Sequence, residues 1–262
     1  MSDPETLSIE INGFSTRVWR KGNGPRIGFF AGYGGLPRWI PMLNRLAESR
    51  TVIVPSLPGF PGGDRGHSVL DTHLDWVLAM REIVVKSDLV GADLAGSSVG
   101  ASMAAEVAAF WPDAVRRLAL IAPFGLYAVD DPPTDPWAQR ADAVPALMCA
   151  DAEKWKALKA PPEGANSEEW PIEQTRANET AARIFWPLGN TGLEKRLRLI
   201  QAPTLLLWGD ADRVMPRGYA DRFARGIAGD TRVAMIAGAG HLAELDQPDA
   251  VAAAILDWTR QT

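Results

Sequence analysis

Hydrophobic and polar residues alternate along this chain in two ways, one typical of β-strands and the other of amphipathic helices. Near the N-terminus, TLSIEIN and STRVWRK alternate apolar and polar residues on either side of Asn12-Gly13, which predicts an antiparallel hairpin at a sheet edge. Further along, short runs such as RIGFFAG and TVIVPSL are almost wholly apolar, which is typical of strands buried on both faces. Segments whose apolar residues recur at helical spacing separate these runs, so we predict a mostly parallel sheet with helices on both faces.

The alternation of strands and helices is interrupted once, between about Leu126 and Ile200. This stretch contains amphipathic helical segments and polar loops in place of strand-like runs, and the alternation then resumes. We therefore predict an α/β fold, a doubly wound sheet of about eight strands whose core domain comprises residues 1–125 and 200–262. Residues 126–199 are predicted to form a helical cap inserted over one end of the sheet.

One polar stretch, HSVLDTHLD, brings two histidines and two aspartates close together before a helical pattern. Their spacing matches no common metal-ligand set, so we interpret the stretch as a solvated helix face and expect no metal site. Ser68, with Asp71 three residues later, predicts the N-terminus of this helix. No phosphate-binding glycine motif follows a strand, so we also expect no nucleotide and no other cofactor.

Composition and charge narrow the range of partners. The chain has 262 residues, a formal net charge of −5 and 47% hydrophobic residues. The acidic balance argues against nucleic acid or an anionic membrane as a partner. Cys149 is the only cysteine, which rules out an intramolecular disulfide. The polar first residues and the lack of a long apolar run predict a cytoplasmic protein with no membrane span.

The motif Gly96-Ser97-Ser98-Val99-Gly100 is the strongest indication of chemistry in the chain. It has the form G-x-S-x-G, and it lies between a predicted strand and a predicted helix, as a nucleophile elbow requires. A sharp strand-to-helix turn needs small neighbours, which Gly96 and Gly100 provide. Ser98 is therefore the candidate nucleophile, and Ser97 occupies the variable position.

A serine hydroxyl needs a base, normally a histidine that a carboxylate orients. Of the three histidines, only His241 directly follows a predicted strand, whereas His67 lies in a glycine-rich loop and His73 lies on a helix. The loop after PTLLLWG offers two acids, Asp210 and Asp212, and spacing alone does not choose between them.

The chain resembles the α/β-hydrolase superfamily, in its subset of small capped serine hydrolases. The segments that carry the resemblance are FFAGYGG, VIVPSLPGF, LAGSSVGASMAAE, PTLLLWGDADRVMP and GAGHLAELDQPDAV. In relatives the triad acid is the aspartate of a G-x-x-D pattern, which implies Asp212, and the histidine of GxGH implies His241. The resemblance therefore implies the α/β-hydrolase fold and a Ser98, Asp212 and His241 triad.

An oxyanion hole requires two backbone N–H groups that point at the developing charge. One is expected from Val99, directly after the nucleophile, and the resemblance assigns the other to Tyr33 in the loop AGYGG. Relatives usually have histidine where this chain has Ala31, and often have histidine or asparagine at the position of Ser97. These departures leave the triad intact but alter the surroundings of the predicted oxyanion loop.

These residues predict a serine hydrolase for a small carboxylic ester or lactone, acting as a monomer or a homodimer. One alternative is a carbon–carbon bond hydrolase for ring-cleavage diketones, and another is a ligand-binding, receptor-like protein with little turnover. A lyase has no distinctive residue in its favour. The residues that we expect to line the substrate pocket are Gly32, Gly34, Ser97, Phe124, Trp186 and Leu242.

Overall fold

The computed structural model describes residues 3–162 and 164–260, and an eight-stranded sheet lies at its centre. The strands are β1 (Glu5–Ile11), β2 (Phe14–Lys21), β3 (Arg26–Phe30), β4 (Thr51–Pro55), β5 (Ala92–Ser97), β6 (Val115–Ile121), β7 (Thr204–Gly209) and β8 (Thr231–Ile236). They lie in the order β1-β2-β4-β3-β5-β6-β7-β8. The pairs β1–β2 and β2–β4 are antiparallel and all others are parallel. The predicted mostly parallel α/β sheet is therefore confirmed.

Helices follow or separate most of these strands. They are α1 (Pro41–Ala47), α2 (His73–Lys86), α3 (Ser98–Phe110), α4 (Val144–Met148), α5 (Ala152–Lys159), α6 (Glu169–Phe185), α7 (Leu193–Arg196), α8 (Gly218–Gly226), α9 (Ala243–Asp246) and α10 (Pro248–Arg260). Helix α1 packs against α10, and α2 packs against α3, so the helices flank the sheet in separate groups. Within this described part of the chain, no helix combines the length and the hydropathy that crossing a bilayer requires.

The N-terminal hairpin forms as its alternating pattern predicts. Strands β1 and β2 pair antiparallel with Ile11 opposite Phe14, which leaves a two-residue turn of Asn12 and Gly13. Both turn residues have positive φ, at +50° and +81°. Asparagine and glycine tolerate this conformation best, and a turn of this hand matches the twist of the two strands.

Helix α2 begins later than the sequence pattern predicts. Thr72 is the N-cap, and its hydroxyl accepts the backbone N–H of Asp75 at 3.2 Å. The Asp75 carboxylate in turn accepts the backbone N–H of Thr72 at 2.7 Å, which completes a capping box. The predicted cap at Ser68 is wrong, because Ser68 lies in a preceding 3₁₀ turn. Both serine and threonine stand three residues before an aspartate, so the local pattern fits either start.

The parallel strands are buried as their continuous apolar runs predict. Every residue of β4, β5 and β7 is buried, and the largest fully buried side chains include Phe29, Phe30 and Trp208. Burial of a large apolar side chain stabilises the fold by about 1.5 to 3 kcal/mol. The sheet is therefore the rigid support on which the loops after its strands are held.

Between β6 and β7 the chain contains helices α4 to α7, and no strand occurs there among the described residues. Helix α6 buries one face, formed by Ala177, Thr180, Ala181, Ile184 and Phe185. This spacing is that of an amphipathic helix with one apolar side. The helical content of this segment fits the predicted cap, while the boundaries at residues 126 and 199 stay a prediction.

A buried ion pair joins this helical segment to the core. Glu106 of α3 is fully buried, and Arg196 of α7 binds it through two of its nitrogens, one of them 2.7 Å from Oε2. His73 contacts the same carboxylate at 2.9 Å. Burial alone raises the pKa of Glu106, but the hydrogen bonds from His73 and Arg196 outweigh it and hold the pKa below its usual value. The charged, bidentate contact fixes α7 against α3.

Candidate active site

Ser98 lies at the corner where β5 ends and α3 begins. Its φ is +51°, in the left-handed region that residues with a side chain rarely adopt. The flanking glycines are required for space. A Cβ atom on Gly100 would lie 2.3 Å from the carbonyl oxygen of Phe30, and one on Gly96 would lie 2.8 Å from the Gly100 carbonyl oxygen. The G-x-S-x-G motif therefore forms the strained turn that the nucleophile elbow requires.

The tertiary structure brings the side chains of Ser98, His241 and Asp212 together. His241 Nε2 lies 2.9 Å from Ser98 Oγ, and His241 Nδ1 lies 3.1 Å from Asp212 Oδ2. Ser98 and His241 are fully buried, and the Asp212 side chain is 2% exposed. A hydroxyl, an imidazole and a carboxylate in this order form the relay of contacts that activates a serine for nucleophilic attack.

Asp212 and Asp210 have different positions, which sequence spacing could not distinguish. Asp212 Oδ1 accepts the backbone N–H groups of Val214 and Met215, at 2.8 and 3.0 Å, and this leaves Oδ2 to face the imidazole. Asp210 is exposed, and its carboxylate accepts the backbone N–H of Gly238 at 2.8 Å. Asp212 is thus the acid that the structure directs at His241.

Asp246 holds the loop that carries His241, and sequence reasoning did not identify it. Its carboxylate accepts the N–H of Gly240 at 2.7 Å, directly before the histidine. It also accepts the N–H groups of Ala150 at 2.7 Å and Asp151 at 3.2 Å, which lie just after α4. One carboxylate therefore ties the histidine loop to the helical segment. The only sequence signal was an acidic residue shortly after the histidine.

The glycine-rich loop after β3 lies directly beside the nucleophile. A Cβ atom on Gly32 would lie 3.1 Å from Ser98 Cβ, 3.1 Å from Ser97 Oγ and 2.8 Å from a methyl group of Leu242. The N–H of Gly35 donates to the Gly32 carbonyl at 3.0 Å and closes a tight turn. The structure thus gathers Gly32, Ser97 and Leu242, which the sequence assigned to the substrate pocket, around Ser98.

The two predicted oxyanion donors lie on the elements that form this corner. Val99 is in the first turn of α3, where backbone N–H groups have no intrahelical acceptor. Tyr33 lies inside the Gly32–Gly35 turn, and its ring packs between Trp137 and Trp155, at centroid distances of 5.4 and 5.9 Å. Their role as oxyanion donors stays a prediction.

The remaining predicted pocket residues are Gly34, whose carbonyl binds Lys159, Phe124, which contacts His241, and Trp186. The ring of Phe124 meets His241 edge to face, with centroids 5.4 Å apart. Phe185 packs on Phe124 at 5.6 Å and is buried. Trp186 is 56% exposed, and its indole N–H donates to Asp135 at 3.2 Å. Helix α6 ends at Phe185, directly before Trp186, and a place for Trp186 in the substrate pocket stays a prediction.

Glu244 is a second acid near the site that sequence reasoning missed. It is 2% exposed, and neither Glu244 Oε2 nor Ser97 Oγ has a hydrogen-bond partner among the described residues. Burial raises the pKa of Glu244 from 4.5 to about 7. No sequence pattern distinguished this glutamate from other polar residues after the histidine.

The raised pKa of Glu244 predicts a pH-dependent stability. Between pH 4.5 and about 7 the folded chain keeps the proton on Glu244 and the unfolded chain does not. The free energy of unfolding is therefore expected to fall as pH rises through this window, by up to about 3 kcal/mol from this group. Urea unfolding at a series of pH values measures this decrease.

Glu244→Gln should remove the decrease in the free energy of unfolding, whereas Glu5→Gln, at an exposed acid, should leave the decrease unchanged. An unchanged pH dependence in E244Q would contradict the assignment.

Comparisons with known proteins show which family this chain is similar to. A family model described as the alpha/beta hydrolase family matches residues 19–254. An acetyltransferase component of the acetoin cleaving system from Cupriavidus necator is 26% identical over 91% of this chain, which spans 64% of that relative's length. Monoacylglycerol lipase ABHD6 from Homo sapiens is 24% identical over 91% of this chain and 76% of its own. A 2-hydroxy-6-oxo-2,4-heptadienoate hydrolase from Pseudomonas putida is 24% identical over 81% of this chain and 77% of its own.

Solved structures with the same fold include 2-hydroxy-6-oxo-6-phenylhexa-2,4-dienoate hydrolase from Rhodococcus sp. strain RHA1. It superposes with a TM-score of 0.77 and 17% identity, over 98% of this chain and 100% of that one. At 17% identity this similarity shows a shared fold and nothing about the substrate.

Proposed function

Because this chain belongs to the alpha/beta hydrolase family, we propose that it is a serine hydrolase that cleaves a carboxylic ester or lactone through an acyl-enzyme. The observation that carries the proposal is the contact of Ser98 Oγ with His241 Nε2 at 2.9 Å, with Asp212 on the opposite ring nitrogen. The lipase relative supports an ester as the substrate class.

In the first half of the reaction, Ser98 Oγ attacks the ester carbonyl carbon and its proton passes to His241 Nε2. Asp212 accepts a hydrogen bond from the Nδ1–H group and stabilises the imidazolium that forms. The backbone N–H groups of Tyr33 and Val99 bind the oxyanion, each contributing about 3 kcal/mol in comparable sites. The C–O bond then breaks, and His241 gives its proton to the leaving alkoxide.

In the second half, water attacks the acyl-enzyme while His241 accepts its proton. A second oxyanion forms in the same hole, the bond between the acyl carbon and Ser98 Oγ breaks, and the proton returns to that oxygen. The products are a carboxylic acid and an alcohol, and both atoms and charges balance without a cofactor.

The surroundings of the triad favour an apolar acyl group. Phe124 packs against His241, and Phe185 packs against Phe124. Leu242 lies against Gly32. Ser98 and His241 are both fully buried. Exclusion of water from this buried site strengthens the electrostatic interactions with the oxyanion.

A carbon–carbon bond hydrolase is the second candidate, and the Pseudomonas putida relative favours it. The same triad and oxyanion hole could act on a vinylogous 1,5-diketone. A receptor-like protein would keep the same residues but show little turnover.

Covalent labelling and a substrate pair test these candidates together. A fluorophosphonate, which phosphonylates an activated serine and releases fluoride, is expected to add a single label that peptide mapping places on Ser98. p-Nitrophenyl esters of several acyl lengths should be hydrolysed faster than a vinylogous 1,5-diketone. Faster cleavage of the diketone would favour the carbon–carbon hydrolase, and absence of turnover with tight ligand binding would favour the receptor. A label on another serine would refute the proposed nucleophile.

A further inference from the structure

A lysine from the inserted helical segment reaches the predicted oxyanion loop. Lys159 is the last residue of α5, and its Nζ donates to the carbonyl of Gly34 at 2.7 Å and to that of Gly35 at 3.3 Å. These partners lie 125 and 124 residues away along the chain. A Cβ atom on Gly34 would lie 2.8 Å from Nζ, so the amino group sits against the bare backbone of the loop.

Aromatic residues of the same segment fix Lys159 and cover the loop. The Lys159 amino group lies 4.8 Å from the centroid of the Trp155 ring. The backbone carbonyl of Lys159 accepts the indole N–H of Trp170 at 3.1 Å. Trp155 also packs against Tyr33, the residue that is expected to donate to the oxyanion. Trp155 therefore contacts both Lys159 and Tyr33, and it belongs to the inserted segment and not to the sheet.

The amino group of the half-buried Lys159 has backbone carbonyl groups as its partners. Among residues 3–162 and 164–260, no carboxylate lies within ion-pair distance of its Nζ. Burial lowers the pKa of Lys159 to about 7, and the charge of Glu173 offsets only part of this effect. An ammonium bound mainly by carbonyl groups costs free energy to bury. Its contact with the loop therefore does not come from ion pairing.

The loop itself needs an external restraint. Gly34 and Gly35 both have positive φ, at +74° and +65°, and glycine-rich backbone has many alternative conformations. The single turn bond from Gly35 to Gly32 fixes one side of the loop. The carbonyl of Gly34, which Lys159 binds, belongs to the same peptide group as the Gly35 N–H. That N–H donates to the carbonyl of Gly32, whose peptide group carries the Tyr33 N–H, so the lysine acts on the orientation of this N–H through the turn.

We propose that Lys159, from the inserted helical segment, is a positioning residue that orients the Tyr33 N–H of the oxyanion hole. The inference rests on the proposed serine hydrolase function. Loss of one oxyanion donor lowers kcat by about 10²- to 10³-fold in comparable enzymes, and a donor that is present but misplaced loses part of this contribution.

The test compares Lys159→Met, Lys159→Arg and the control Lys156→Met in the full chain. Lys156 lies on the same helix and pairs with Glu153 at the surface. We expect K159M to lower kcat for a p-nitrophenyl ester by about 10-fold or more with KM changed less than about 2-fold, K159R to recover most of the loss, and K156M to match the wild type. Inhibition by a trifluoromethyl ketone, whose adduct carries an oxyanion, should weaken in K159M by a factor similar to the loss in kcat.

Either of two results for K159M would overturn the inference. One is a kcat within about 2-fold of wild type, and the other is a lower kcat with unchanged inhibition by the trifluoromethyl ketone. If K159M does not fold, as judged by thermal unfolding, Lys159→Ala, which also removes the donor, is judged by the same two criteria. A wild-type protein that neither labels at Ser98 nor hydrolyses esters overturns the proposed function and this inference with it. Normal labelling and turnover with an unaffected K159M overturn the inference alone.

Discussion

Replacing Ser98 with alanine is expected to lower ester turnover by about 10⁴- to 10⁶-fold, because no other group can form the acyl-enzyme. The change removes one oxygen atom, which lies 2.9 Å from His241 Nε2. Alanine and serine pay a similar cost for the left-handed φ at this corner, so the fold should be retained. Steady-state kinetics with a p-nitrophenyl ester, together with thermal unfolding, measures both effects.

Ser97→Ala is the matched control for this prediction. Ser97 precedes the nucleophile, is equally buried, and has a hydroxyl with no hydrogen-bond partner among the described residues. Its loss should change turnover by a few-fold at most. Should S97A lose activity while S98A keeps it, the identity of the nucleophile would be wrong. Loss of ligand binding as well as turnover in S98A would count against a purely catalytic role for the hydroxyl.

Replacing Asp212 with asparagine is expected to lower kcat by about 10⁴-fold. Asparagine keeps the shape of the side chain, and its Oδ1 can still accept the N–H groups of Val214 and Met215. The atom facing His241 Nδ1 then becomes an N–H donor, which stabilises the wrong imidazole tautomer and leaves the imidazolium without a counter-charge. The measurement is kcat for the ester, with KM expected to change much less.

Asp210→Asn provides the comparison at the neighbouring acid. Asp210 is exposed and accepts one backbone N–H from Gly238, so its replacement should affect turnover only a few-fold. The pair of variants is a direct test of the choice between the two acids. A large loss in D210N, with near-normal kcat in D212N, would reverse the assignment.

The sequence by itself determined the fold and the location of the candidate nucleophile. Continuous apolar runs such as those of β4 and β7 are stable when both faces of the strand are buried, and burial on both faces is typical of a parallel sheet. The small residues of the G-x-S-x-G pattern mark Ser98 in the sequence. Gly96 is a local requirement of the sharp turn, because a Cβ atom there would meet Gly100, whereas Gly100 leaves space for the distant backbone of Phe30. The apolar runs and the turn at Gly96 can be predicted because neighbours in the chain determine them.

Local patterns were insufficient wherever two nearby residues met the same rule. Ser68 and Thr72 both precede an aspartate by three residues, and only the path of the preceding 3₁₀ turn selects Thr72 as the cap. Phe185 and Trp186 are adjacent aromatic residues, and the end of α6 decides that the first is buried and the second is exposed.

Only the tertiary structure decided which side chains meet across the chain. His241 reaches Ser98 across 143 residues, and Lys159 reaches Gly34 across 125. The buried carboxyl of Glu244, on whose pKa the Ser97 hydroxyl acts, likewise has no signature in sequence. Such contacts depend on how several loops pack at one edge of the sheet, and the free energy of that packing is shared among residues that no short segment contains.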